Sequence, residues 1–433
     1  MTTSPAYAAP PDALERLTVR RYLLAMVAQG VWWSGYLLFP FVLAKSLAAP
    51  DWVVTLSAVM ETSGMLLALY WGQLMDRGGR RRWLLRGGLG GRLVLVSALE
   101  VSSAYGFLAL LAVVYFFAAM FYPAQNGILQ ANIGPTRRGS VFGRGALVQH
   151  LTAAATSLLL GRLLDGDPER FRLVYPVVGA VGFLYPLILA RLPRPDHDVT
   201  PDPGGIFTVP RLPLGPVARR RLGRALVTPF LEAIETFRVD PHFRWYEANF
   251  MIYGVAYMML IPVLPLFFIH ELHLSYQEIS SARVLIASVG VALFGPLMGR
   301  LMDRYHPVRL CTISFAIVSL YPGALYVGAR WMGGLDPAWT AYLAFGFYAL
   351  GMAGINVTWN VGSISFAPPG RGGYYQGIHV AMVGVRGALG PVIGFLLLRW
   401  AGYREVFLTA AVVFLAASLS SRALGRKLGG EKT

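Results

Sequence analysis

"GQLMDRGGRRRWLL", residues 72–85, closes an apolar run and turns at once into charge, with Asp76 among Arg77, Arg80, Arg81 and Arg82. "GRLMDRYHPVRL", residues 299–310, does the same in the second part of the chain. Matching polar joints at the ends of two apolar runs imply two copies of one building unit.

The runs around those joints set the class. The chain has 433 residues, 55% of them hydrophobic and 14% charged, and a mean hydropathy of +0.53. Soluble domains carry about 25% charged residues. Apolar runs long enough for a hydrocarbon layer of about 30 Å fall near 21–46, 52–75, 83–103, 106–133, 142–164, 172–193, 245–270, 276–301, 307–329, 337–366, 374–400 and 403–424. The expected fold is an all-α polytopic membrane protein. Its twelve transmembrane helices form two six-helix halves, residues 1–193 and 245–433, joined by a linker at 194–244.

That linker opens with the Pro- and Gly-rich "RPDHDVTPDPGGIFTVPRLPLGP". It continues as "VARRRLGRALVTPFLEAIETFRVD", where Leu222, Leu226, Phe230, Ile234 and Phe237 approach one helical face. The second part reads either as an amphipathic helix on the membrane surface or as a solvated linker helix.

A net charge of +16 would suggest nucleic acid in a soluble protein, but here its placement says otherwise. Most Lys and Arg lie in alternate loops, at the N-terminus, at 77–86, 137–144, 191–244 and 300–309, and in the C-terminal tail. By the positive-inside rule, both termini and the linker are cytoplasmic. The arginines of these loops are expected to meet lipid headgroups, and no nucleic-acid partner is expected. Arginine far outnumbers lysine, as in GC-rich bacterial genomes. The polar N-terminus lacks the form of a cleavable signal.

Cys311 is the single cysteine, so no intramolecular disulfide is expected. The seven histidines are scattered and suggest no metal site. No P-loop, Ser/His/Asp set or His-Glu-x-x-His motif occurs, so neither an enzyme nor an ATP-driven pump is expected. No cofactor is implied beyond a proton as coupling ion.

At these positions the chain resembles the major facilitator superfamily. The family's loop between the second and third helices reads Gly-x-Leu-x-Asp-Arg-x-Gly-Arg-Arg, supplied here by Gly72, Leu74, Asp76, Arg77, Gly79, Arg80 and Arg81. The second copy keeps Gly299, Leu301, Asp303 and Arg304, but has His306, Pro307 and Val308 in place of the glycine and paired arginines. The resemblance implies a monomeric secondary transporter of the inner membrane, working on a small-molecule substrate by alternating access. It also implies that Asp76 serves the start of the eleventh helix, near "RGGYYQG" at 371–377. Physically, a carboxylate there accepts from exposed N–H groups at a helix N-terminus, and Gly72 allows close packing. Asp76 and Asp303 would then latch the halves on the cytoplasmic side.

In such a fold the first and fourth helices of each half line the cavity. Those helices offer Gln29, Trp33 and Tyr36; Tyr122, Asn126 and Gln130; Tyr253 and Tyr257; and Asn356, Trp359 and Asn360. Aromatic walls with a few polar groups suit an amphipathic ligand, although the same residues can serve helix packing or the interface belt.

Charges inside spans are costly, about 2.5–3.5 kcal/mol each or more at a helix centre. Glu61, Arg92, Glu100 and Arg386 are of this kind, and His150 reads as the one histidine clearly inside a span. Glu61 can pair with Arg92 or with Arg386, either as a static ion pair or as a carboxylate whose protonation is coupled to transport.

Drug–proton antiporters of the superfamily usually carry an arginine in the fourth helix, and "YGFLALLAVVYFFAAMFYPAQNG" has none. The nearest match to their Gly-Pro motif, "GALGPVIG" at 387–394, lies in the eleventh helix rather than the fifth. The leading expectation is export of a small amphipathic molecule. Uptake of an anionic metabolite through Arg386, and a non-transporting membrane sensor, are the alternatives.

Overall fold

Short polar residues write the helix starts in the computed structural model, which describes residues 12–67, 71, 80–193, 231, 233–330, 336–368 and 372–430. Asp12 accepts from Glu15 N at 2.6 Å and starts α1 (Ala13–Ser46). Asp240 and Asp336 each precede a proline at the first helical position, where a missing N–H costs nothing. They start α8 (Pro241–Glu271) and α11 (Pro337–Val361). Ser275 and Glu278 form a reciprocal capping box at the head of α9 (Tyr276–Met302). The other helices are α2 (Asp51–Ser63), α3 (Arg80–Gly91), α4 (Ala104–Ala118), α5 (Phe121–Asn132), α6 (Pro135–Gly166), α7 (Pro168–Leu189), α10 (Pro307–Arg330), α12 (Gly372–Ala401) and α13 (Tyr403–Gly430).

Every regular element among the described residues is helical, and nine of the helices are long and apolar enough to cross a membrane. Backbone hydrogen bonds must close internally in lipid, and helices do so. The protein is therefore a multi-pass membrane protein. The expected runs 83–103 and 106–133 are not single α-helices. The first breaks at Arg92 (φ −134°, ψ −64°) and continues as a 3-10 turn over Leu93–Glu100. The second is divided between α4 and α5 at Ala119–Met120. Packing accompanies these breaks: rings of Phe117 and Phe183 lie where Cβ atoms at Gly90 and Gly88 would stand.

The chain repeats itself in its backbone more faithfully than in its side chains. α1 ends in a π turn at Val42–Ser46, and α8 ends in one at Phe267–Glu271. Leu47 N reaches Val42 O at 3.0 Å, as Leu272 N reaches Phe267 O at 3.0 Å. Ala48 (φ 43°) and His273 (φ 52°) then turn left-handed. Ala49 N and Leu274 N finally bond Leu43 O and Phe268 O, both at 2.8 Å.

Two compact units hold the chain, and membership changes at this repeated turn. One unit takes Met1–Ala49, Leu67–Ile206 and Ser275–Ser288; the other takes Pro50–Leu66, Phe207–Leu274 and Val289–Thr433. Within the first, α1 lies against α6 so closely that a Cβ at Gly30 would strike Gln149 O and Thr152. Within the second, α2 meets α12 where Thr62 Oγ1 donates to Gly387 O at 2.6 Å.

Of the linker, residues 233–239 are helical, and the Phe237 ring packs 5.7 Å from Phe243. Leu222, Leu226 and Phe230 lie outside the described residues.

Candidate functional site

In the first unit the break after α3 delivers Arg92 into the interior, where it is 3% exposed. Its guanidinium lies 3.8 Å from the Trp32 ring centre and 4.8 Å from that of Phe121. One nitrogen donates to Gln29 Oε1 at 3.0 Å. Two rings and an amide thus replace water around the charge, an arrangement worth up to about 2 kcal/mol per ring when desolvated. Trp33 stacks on Tyr36 at 5.4 Å and 11°, and Tyr36 meets Tyr115 edge-on at 5.8 Å. Asn126 is exposed on α5. His150 Nδ1 lies 3.3 Å from Ser288 Oγ, tying α6 to α9. Glu100 is exposed at the end of its 3-10 turn.

In the second unit Arg386 is 3% exposed and donates to Phe250 O at 2.7 Å. Its side chain lies flat on α8 at Gly254, where a Cβ would overlap it. Tyr253 stacks on Phe315 at 4.8 Å and on Tyr257 at 6.1 Å. Tyr257 and Tyr348 bring their hydroxyls within 3.3 Å. Asn360 spends its amide on its own helix, donating to Asn356 O at 2.7 Å, and both side chains are exposed. Trp359 is half-buried and accepts from Gln376 through its carbonyl at 3.2 Å.

The structure brings together two residues that the sequence reading did not single out. His379 Nδ1 lies 2.8 Å from Glu247 Oε1, and the side chains are 0% and 2% exposed. His379 is therefore inside its helix span, and His150 is not alone in that respect. A histidine about two turns inside a helix, beside aromatic neighbours, was the available signal. Glu247 follows "HFRWY", which reads as the fringe of a span rather than its interior.

A sequence model of the Major Facilitator Superfamily matches residues 22–256 and, a second time, 248–428. The chain belongs to the Major Facilitator Superfamily. It is accordingly a transporter and not an enzyme. The chain is 26% identical over 358 residues to the multidrug resistance protein MdtG of Proteus mirabilis, covering 81% of this chain and 80% of that one. To MdtG of Klebsiella pneumoniae it is 26% identical over 377 residues, covering 82% and 80%. Among solved structures, a POT family transporter in complex with a thioalcohol-conjugated peptide superposes with a TM-score of 0.75 at 13% identity, covering 95% and 96%. The nucleoside transporter NupG, as a mutant, gives 0.67 at 15% identity, covering 94% and 99%. These superpositions carry the superfamily fold and nothing about substrate.

The superfamily's loop motif lies almost wholly outside the described residues, including Gly72, Asp76, Arg77 and Gly79. Arg80 is described: it is 8% exposed and donates to Leu192 O at 3.0 Å. It therefore ties the start of α3 to the end of the first half. In the second copy Gly299 is half-buried and Arg304 exposed, and Asp303 falls in the last turn of the helix over Ala287–Arg304. Glu61 is half-buried on α2.

Proposed function

We propose that the chain exports small amphipathic organic molecules from a bacterial cell by alternating access, driven by protons moving the other way. The observation that carries this reading is kinship, along about four-fifths of both chains, with proteins named for multidrug resistance. The side chains support it. Tyr253, Tyr257 and Tyr348 make an aromatic ladder, and Trp33, Tyr36 and Tyr115 make another. Tyr36, Tyr115 and Tyr253 are buried and back the half-buried Trp33, Tyr257 and Tyr348; rings of this kind accept flat apolar molecules with little demand for a fixed charge partner. Arg386, the residue on which anion uptake would rest, is engaged by Phe250 O and lies within electrostatic reach of Glu247, which argues against that alternative.

The test is ethidium movement in vesicles containing the full chain, with and without an imposed pH gradient. Gradient-dependent accumulation that collapses with a protonophore is the expected outcome. Movement that ignores the gradient removes proton coupling from the proposal, and no movement of ethidium or rhodamine 6G removes export.

A further inference from the structure

Glu247 and His379 are an ionisable pair sealed from solvent between α8 and α12. A carboxylate beside one ring nitrogen fixes the tautomer: Nδ1–H donates to Glu247, and Nε2 keeps its lone pair. Neither His379 Nε2 nor Glu247 Oε2 has a hydrogen-bond partner among the described residues. Buried polar atoms are normally partnered, so a bare basic nitrogen in the interior requires a chemical reason.

The surroundings narrow that reason. The imidazole is walled by the rings of Tyr246 at 6.0 Å, Phe250 at 4.7 Å and Trp359 at 5.7 Å. Among the described residues, the titratable groups within electrostatic reach of Glu247 are Tyr246 on α8, Cys311 on α10 and Arg386 on α12, and Tyr253 on α8 lies next to Arg386. From α11 come Thr358 and Trp359, which do not titrate. None of these presents a bare basic atom. Arg386 balances the Glu247 carboxylate, so the cluster is neutral while His379 is neutral. The bare acceptors of the pair are Nε2 and Glu247 Oε2, and an imidazole is intrinsically a stronger base than a carboxylate, so an arriving proton goes to Nε2.

We propose that His379, oriented by Glu247, is the seat of the coupling proton; the inference rests on the proton-driven export proposed above. The Nε2 lone pair takes a proton from water, forming an N–H bond and leaving the cluster with a net positive charge. The same bond breaks when the proton returns to water on the other side. Nδ1–H and the Glu247 carboxylate are unchanged throughout. A cationic substrate beside Trp359 is repelled by the imidazolium and tolerated by the neutral ring, which is the exclusion that antiport needs.

The experiment uses full-length protein in liposomes with pyranine inside, ethidium and rhodamine 6G as substrates, and the variants His379→Gln and Glu247→Gln. Gln at 379 can still donate to Glu247 but holds no proton in transit. The variant is expected to keep dye-for-dye exchange and to lose both gradient-driven dye uptake and dye-driven proton flux. Glu247→Gln is expected to keep exchange and to move the pH profile of driven uptake to lower pH, because the imidazolium loses its counter-charge. Proton flux surviving in His379→Gln, an unmoved pH profile in Glu247→Gln, or exchange and coupling falling together in both overturns the inference. If both variants fail to fold, the pair is a structural tie and the inference falls as well. Wild-type vesicles that exchange dye without moving protons would instead refute the coupling proposed above, and this inference with it.

Discussion

The carboxylate of Asp165, at the end of α6, receives the backbone N–H of Tyr276 at 2.6 Å and, through its second oxygen, that of Gln277 at 2.7 Å. The capping box takes the flanking donors, Ser275 N to Glu278 Oε2 at 2.7 Å and Glu278 N to Ser275 Oγ at 3.1 Å. All four donors at the head of α9 are thus satisfied, two of them by a different helix. Such a charge also meets the positive end of the helix dipole. The Tyr276 hydroxyl extends the tie to α1, lying 2.7 Å from Ser46 Oγ and 3.3 Å from Phe41 O.

Asp165→Asn removes the charge and one of the two acceptors. Losing a cap costs about 0.5–2 kcal/mol, so the purified protein is expected to melt a few degrees lower. Glu278→Gln should cost less, because a glutamine can still complete a capping box. Thermal denaturation in detergent checks both, and equal melting of Asp165→Asn and wild type would show that the tie is energetically idle.

The left-handed turns after α1 and α8 give a second expectation. A non-glycine residue with positive φ carries strain of about 1–2 kcal/mol, and Ala48 and His273 both do so. Ala48→Gly is expected to hold or raise the melting temperature, although glycine's greater freedom in the unfolded chain offsets part of the gain. Ala48→Val and His273→Val are expected to lower it, since a β-branched residue is worst placed there.

Arg92 supplies a third. Gln29→Leu leaves the guanidinium without its amide partner, and Trp32→Leu removes the nearer ring. A hydrogen bond to a charged group contributes about 1.5–3 kcal/mol, and the cation–π contact up to about 2 kcal/mol. Each variant should be destabilised, and the double variant should cost less than the sum because both act on one charge. Additive melting shifts would mean that Arg92 holds its place by other means.

The fold was legible in the sequence because its evidence is local. Apolar runs mark spans; the helix starts at Asp240-Pro241, Asp336-Pro337 and Ser275–Glu278 are just as local, but they emerged only with the structure. The repeated loop motif also exposed the duplication and the superfamily. The turns at Ala48 and His273 were not legible, because "LAKSLAA" and "FIHELHL" share a backbone path with little sequence in common. The same limit applied to the charges. The idea of an acid serving a neighbour's helix start came from Asp76, yet the described example is Asp165, whose partner lies 111 residues away in the chain. Pairing of Glu247 with His379, at a separation of 132 residues, is likewise set by helix packing that no local pattern encodes.

Gly254 makes the last prediction, because two effects oppose each other there. In an ordinary helix, Gly→Ala stabilises by about 1 kcal/mol through backbone propensity. At Gly254 a new Cβ would overlap the Arg386 side chain and push its guanidinium away from Phe250 O. Overpacking costs about 1–3 kcal/mol, and a buried charge that loses its acceptor adds to that, so the clash should win and Gly254→Ala should be destabilised. Gly346→Ala is the control, since nothing lies within 4 Å of the Cβ position on α11, and it should be neutral or stabilised. A double-mutant cycle with Arg386→Ala isolates the cause. If the clash with Arg386 is the mechanism, Gly254→Ala costs nothing further once the arginine is gone, whereas an undiminished cost in the double variant would place the strain elsewhere on α8.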